Sequence, residues 1–303
     1  MTLPAPVFSR IAVGVDLSDS CLVAVGQSMS LARRCAAPVV LMMVEVEPAS
    51  VDDLPTSLQG SETRLRAARR ERLAVDRREL EALRQRLVGQ GVEVSHLVAT
   101  GDADHGVAAT AADHGADLLV VGSHGRHGLS RMLLGSVAEK TVRFASSSVL
   151  VARGTSSAAE GGYERIVVGS DFSRRCEEAL ERAVAVAAPD AHIEVVHAWQ
   201  VPYDLTAEGT IGAALAELRD ELEEDVGRTG ASLVEAWRQR GVRVTFRSVD
   251  GPARPALCER AVAAGADLVV VGSHGRRGLR RLVLGSVAEA TVRHAPCSVL
   301  VVR

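Results

Sequence analysis

The stretch Asp117–Arg153, DLLVVGSHGRHGLSRMLLGSVAEKTVRFASSSVLVAR, decides the fold. It opens with four consecutive apolar residues, Leu118–Val121, and closes with another such run, Val149–Ala152, in the strand Ser148–Ala152. Runs apolar at every position are buried on both faces, as in a parallel sheet covered by helices. Between them lie Gly122-Ser-His-Gly125, nine residues, and Gly135-Ser136 opening a helical pattern that runs to Phe144. A strand, a glycine loop, a helix and a second strand make one βαβ unit of an α/β layer fold.

The same stretch occurs twice. Gly272–Arg303 matches Gly122–Arg153 at 23 of 32 positions without a gap. The beginnings of the halves also correspond, RIAVGVDLSDS at Arg10–Ser20 with RIVVGSDFSRR at Arg165–Arg175. A repeat of roughly 150 residues is the length of a domain, not of a solenoid unit. The Gly/Ser/Ala-rich segment 154–162 reads as a linker between domains at 1–153 and 163–303. In each half, five short apolar strands alternate with four helical patterns. The Arg-rich stretch Arg64–Arg86 interleaves Glu71, Asp76, Glu79 and Glu81 with spaced leucines, so it reads as an amphipathic helix with a solvated charged face.

Composition narrows the function. Of 303 residues, 47% are hydrophobic and 24% charged, with a net charge of −3, so no bulk basic field holds nucleic acid or an anionic membrane. Aromatics at 3% are too few for a base-stacking surface. The five cysteines show no C-x-x-C spacing, which argues against a zinc knuckle or a redox dithiol. No apolar run reaches membrane-spanning length and the first residues do not read as a signal peptide, so the expectation is a soluble, cytoplasmic protein. A P-loop, a first-strand G-x-G-x-x-G and a G-x-S-x-G elbow are all missing.

The chemistry lies in the glycine loop. Gly122 at the strand end lets backbone pass close to a ligand without a Cβ in the way, Gly125 three residues on permits a tight turn, and Gly135 leaves room for a phosphate oxygen. Ser136 reads as the N-cap of the helix that follows, leaving the N–H groups of Ser136, Val137 and Ala138 as an anion site at the positive end of the helix dipole. Gly272, Gly275, Gly285, Ser286 and Val287 repeat the arrangement. Arg126 and Arg276 follow the second glycine of each loop and would neutralise phosphate charge. At the end of the first strand stand Asp16 and Asp171. With strand order 3-2-1-4-5 each faces its glycine loop across the crevice where strand order reverses. There a carboxylate can accept from ribose hydroxyls, cap the next helix, or hold a metal beside phosphates.

G-x-x-G-(nine)-G-S, the first-strand Asp with Ser two residues on, and the terminal SVLVV strand closely resemble the universal stress protein family in a tandem two-domain form. The resemblance covers nearly the whole chain outside the linker and the excursions at 54–61 and 203–212. It implies two doubly wound five-stranded parallel-sheet domains of the Usp and adenine nucleotide alpha hydrolase-like kind, each binding ATP. Carried over, the first site uses Gly14, Val15, Asp16, Val44, Val121, Gly122, His124, Gly125, Gly135, Ser136 and Val137. The second uses Gly169, Ser170, Asp171, Ala198, Val271, Gly272, His274, Gly275, Gly285, Ser286 and Val287. Asp16 and Asp171 are the candidate Mg2+ anchors. The resemblance also implies terminal strands that pair, within the chain and in a homodimer, and a signalling protein as partner. The segment 47–61 reads as a flap over the first site. With no second base for hydrolysis in view, the expectation is a stress-signalling module that hydrolyses ATP slowly at most. The alternatives are a nucleotide-free interaction protein, or a PP-loop-like adenylating enzyme, which would call for paired glycines after the first strand that VDLSDS and SDFSRR do not have.

Overall fold

The computed structural model describes residues 7–46, 59–101, 103–125, 134–154, 161–200, 210–274 and 284–303. The chain divides into two compact units, Met1–Ala159 and Glu160–Arg303. Of the segment 47–61 read as a flap, residues 47–58 lie outside the described residues, as do Arg126, Gly275 and Arg276, and the rest opens a helix.

In the first unit the elements run β1 (Ile11–Gly14), α1 (Asp19–Cys35), β2 (Val39–Val46), α2 (Gln59–Leu87), β3 (Val94–Gly101), α3 (Ala103–Asp113), β4 (Leu118–Gly122), α4 (Ser136–Phe144) and β5 (Ser148–Ala152). The strands are parallel in the order β3-β2-β1-β4-β5. This is the order 3-2-1-4-5 expected from the sequence. The chain leaves β1 toward β2 on one side and meets β4 on the other, which opens a crevice beyond the ends of β1 and β4. The consecutive apolar runs are the core: Ile11, Leu118, Leu119, Val120 and Val149 are fully buried. Asp117 ties the starts of β1 and β4 together, its carboxylate accepting from Ser9 N and Oγ at 2.7 Å and Arg10 N at 3.1 Å. On α2 the amphipathic reading holds at Leu80 and Leu83, which are buried, while Arg78 and Glu79 are exposed.

The second unit repeats the plan with β6 (Tyr163–Ser170), α5 (Arg174–Val186), β7 (Ala187–Trp199), α6 (Thr210–Arg238), β8 (Val244–Asp250), α7 (Ala253–Ala264), β9 (Leu268–Gly272), α8 (Ser286–His294) and β10 (Ser298–Val302). Its parallel order is β8-β7-β6-β9-β10. The strand expected at Ile193–Ala198 begins earlier, at Ala187, because Tyr163 pairs with Ala187 before a register shift brings Arg165 to His192.

One buried ion cluster fastens α7 to this sheet. Glu194 on β7, 7% exposed, accepts from Arg247 on β8 at 2.7 Å and from Arg260 on α7 at 2.7 and 2.9 Å. Burial alone would raise the Glu194 carboxyl, but the hydrogen bonds from Arg247 and Arg260 outweigh it and hold it below the usual carboxylate range. Its contribution to stability is therefore fully present above about pH 4.3 and is lost as pH falls through the lowered folded value. Glu194→Gln should cost about 2 kcal/mol at pH 7. In urea titrations the gap from wild type should narrow steadily as pH falls below about 4.3; a constant gap down to acid unfolding would rule the cluster out as an acid-labile tie.

Candidate functional site

Each crevice is built from three backbone segments. In the first unit β1 is prolonged by Val15, whose N–H donates to Met42 O at 2.8 Å. The chain then turns sharply at Leu17, in the left-handed region at φ 61°. Asp16 organises the turn, as Oδ1 accepts from Ser18 N at 3.0 Å and Ser18 Oγ at 2.6 Å. Ser18 is the N-cap of α1, accepting from Cys21 N at 3.2 Å. Asp16 thus supports the cap rather than being one. Its second oxygen, Oδ2, faces Gly125, where a Cβ would stand 3.1 Å from it.

The glycine loop lies against the start of α1. A Cβ on Gly122 would collide with Ser20 Oγ and stand 2.8 Å from the Ser20 carbonyl carbon and oxygen. Ser20 Oγ accepts from His124 N at 3.1 Å and donates to His124 O at 2.8 Å. The late glycine closes onto the same loop, with Gly135 N donating to Ser123 O at 2.8 Å. The structure corrects one detail of the sequence reading. Gly135, not Ser136, is the N-cap of α4 (φ −68°, ψ 147°), and no side chain caps it. Ser136 is the first helical residue. Glu139 N bonds to Gly135 O, so the N–H groups of Ser136, Val137 and Ala138 have no acceptor within the helix. Beside them, His124 pairs through Nδ1 with Ser123 Oγ at 2.7 Å, and its buried Nε2 has no hydrogen-bond partner among the described residues. Buried polar atoms are paired as a rule, so this one asks for a ligand.

The remaining first-site candidates line the same end of the sheet. Gly14 abuts Val121, and Val44 on β2 packs against Gly106, where a Cβ would stand 3.0 Å from Val44 Cγ1.

The second unit has the same frame with different fittings. Asp171 Oδ1 accepts from Ser173 N at 3.1 Å and Ser173 Oγ at 2.5 Å. Gly285 caps α8 without a side chain, and its N–H donates to Ser273 O at 2.8 Å. His274 meets Ser273 Oγ through Nδ1 at 3.1 Å, and its Nε2 is likewise buried and unpartnered. Gly169 packs on Val271 and Leu257, and Ala198 sits in β7 near its end. Ser170 Oγ accepts from Phe172 N at 3.3 Å and from the Cys176 thiol at 3.1 Å, while burial pushes that thiol up. Phe172, at φ 58°, stacks on His197 with ring centres 4.3 Å apart and leans on Phe246 at 5.9 Å. His197 Nδ1 meets Ser170 O at 2.8 Å. Sequence reasoning missed this stack, which depends on the register of β7 and β8. It also missed Ser20, for which the D-x-S-x-S spacing was the available signal.

Among the described residues no helix is long and apolar enough to cross a membrane, and no three His, Cys, Asp or Glu side chains gather as a metal cage would.

The family model described as the universal stress protein family matches residues 8–153 and again 162–303. A universal stress protein of Mycolicibacterium smegmatis is 32% identical over 194 residues, 63% of each chain. One of Mycobacterium tuberculosis is 34% identical over 194 residues, 62% of each. The aligned part is thus under two thirds of those relatives' own lengths. Among solved structures, a universal stress protein from Archaeoglobus fulgidus superposes with a TM-score of 0.65 at 17% identity, covering 97% of this chain and 98% of that one. One from Pseudomonas aeruginosa gives 0.62 at 20%, covering 97% and 93%. At such identities these structures speak for the fold alone. With both halves matched in order, the chain belongs to the universal stress protein family and carries the family's domain twice.

Proposed function

We propose that each half of the chain, 1–153 and 163–303, binds one adenine nucleotide, ATP, and that the protein is a nucleotide-responsive stress-signalling module. One observation carries the reading. In both halves an uncapped helix start is hydrogen-bonded to a glycine loop that holds an unpartnered buried imidazole nitrogen. Three backbone donors, a ring nitrogen and the positive end of a helix suit phosphate.

In this reading Ser136 and Val137 with His124, and Ser286 and Val287 with His274, receive the phosphates. The carboxylates of Asp16 and Asp171 accept from the ribose. Val44 and Ala198 border the base, with the smaller Ala198 leaving more room in the second crevice. Gly14, Val15, Gly169, Ser170, Val121 and Val271 line the floor. A Mg2+ ion would ride on the phosphates, with Asp16 or Asp171 as its protein ligand. Bound ATP supplies a charged, state-dependent surface. The protein's part is to hold and orient it. A homodimer through the terminal strands, and a partner that reads the nucleotide state, complete the proposal.

The test is calorimetric titration with ATP. Wild type should bind two equivalents. Asp16→Ala and Asp171→Ala should each weaken one site about ten-fold, by removing an acceptor for the ligand together with the prop for the helix cap. Wild type that takes up no ATP, and from which no nucleotide can be extracted on denaturation, would overturn the reading.

A further inference from the structure

The two crevices share a frame but differ at one position beside the loop. Ser20 on α1 corresponds to Arg175 on α5, each four residues past the first-strand aspartate. In the first unit the Ser20 hydroxyl holds the loop by two hydrogen bonds, to both backbone groups of His124. A guanidinium carries donors only, so Arg175 cannot accept from the His274 N–H.

The packing differs in the same sense. Gly122 lies so close to Ser20 that a Cβ would stand 2.8 Å from its backbone, whereas at Gly272 the nearest Arg175 atoms would be its Cβ at 3.2 Å and its carbonyl oxygen at 3.6 Å, with His274 O between them at 3.4 Å. The imidazole contact follows, at 2.7 Å for Ser123–His124 against 3.1 Å for Ser273–His274. The Arg175 charge does little to compensate. It is 42% exposed and meets Glu178 at 3.5 Å, so solvent and a carboxylate both screen it.

We infer that Ser20 is a positioning residue that fixes the His124 backbone beside the phosphate site of the first crevice, and that Arg175 leaves His274 without that tie, making the first crevice the tighter nucleotide site. This rests on the nucleotide reading above and adds an inequality to it. Fixing a backbone donor and acceptor only on binding subtracts from affinity. The loss of two ordinary hydrogen bonds to that loop corresponds to about ten-fold.

The experiment uses the full chain and ATP. Gly285→Asp silences the second crevice so that the first is read alone, and Gly135→Asp does the converse. The first crevice should bind about ten-fold more tightly than the second. Ser20→Ala should remove that advantage and, without nucleotide, speed hydrogen exchange at the His124 amide. Arg175→Ser, which installs the hydroxyl, should tighten the second crevice several-fold where Arg175→Ala does not. A merely structural Ser20 would lower the melting temperature without moving the ratio of the two affinities. Equal affinities in wild type would overturn the inference and leave the nucleotide reading standing. So would a Ser20→Ala effect under two-fold, or an Arg175→Ser no tighter than Arg175→Ala. Two empty crevices in wild type would remove both.

Discussion

Gly122→Ala is expected to destabilise the protein by about 2–3 kcal/mol and to abolish ATP uptake in the first crevice, while Gly272→Ala costs under about 1 kcal/mol. The chemistry of the two changes is identical, so the contrast comes from the neighbours. At Gly122 the added carbon would meet Ser20 Oγ, which can rotate away, but also the Ser20 carbonyl carbon and oxygen at 2.8 Å, which belong to the first turn of α1. Relief then requires β4 and α1 to separate, and both are core elements. At Gly272 the nearest atoms would be Arg175 Cβ at 3.2 Å and His274 O at 3.4 Å, which yield with a shift of a few tenths of an ångström. Thermal melts of the single variants check the contrast. Adding Ser20→Ala to Gly122→Ala should recover only part of the loss, since the backbone collision remains. Full recovery would mean that the hydroxyl alone sets the close approach. Equal losses at Gly122 and Gly272 would contradict the difference in packing.

The parts of the fold that could be read from the sequence are those a short window determines. Leu118–Val121 and Leu268–Val271 are short, apolar at every position, rich in valine and closed by glycine, which together mark a strand covered on both faces. The duplication then assigned the second half by comparison with the first. What escaped depends on where strands lie side by side. Phe172, His197 and Phe246 are up to 74 residues apart, and they meet because Val195 is in register with Phe246 and Ser170 with His197. Helix edges escaped for a different reason. Ser136 is the better capping residue by type, yet Gly135 takes the position because its N–H is already committed to Ser123 O, which fixes it in an extended conformation one residue earlier. Of the candidate site, the glycines and aspartates could be located because their spacing is rigid. The D-x-S-x-S spacing marked Ser20, but its role is visible only once α1 is seen to begin beside the end of β4. The copy does not help, since Arg175 replaces it.

That capping detail leads to the sharpest separation of stability from binding. Gly135→Asp should leave the protein as stable as wild type or more so by a few tenths of a kcal/mol, and should lower first-crevice ATP affinity about a hundred-fold or more. Gly135 has the backbone of an ordinary N-cap, and a Cβ there would be in contact distance, 3.4 Å from His124 Cα and from Ser123 O. An aspartate can therefore be accommodated. Its carboxylate would turn onto the N–H groups of Val137 and Ala138, satisfying the donors that α4 leaves open and complementing the helix dipole. The same carboxylate would occupy the place where phosphate is to bind and repel a polyanion by its charge. Most substitutions that empty a site also weaken the fold. This one fills the site with the protein's own anion, so the two effects have opposite signs. A melt and an ATP titration on one preparation decide it. If ATP still bound with wild-type affinity while the melting temperature rose, the α4 N-terminus would be capped without being the phosphate site, and the first crevice would have to hold its ligand elsewhere.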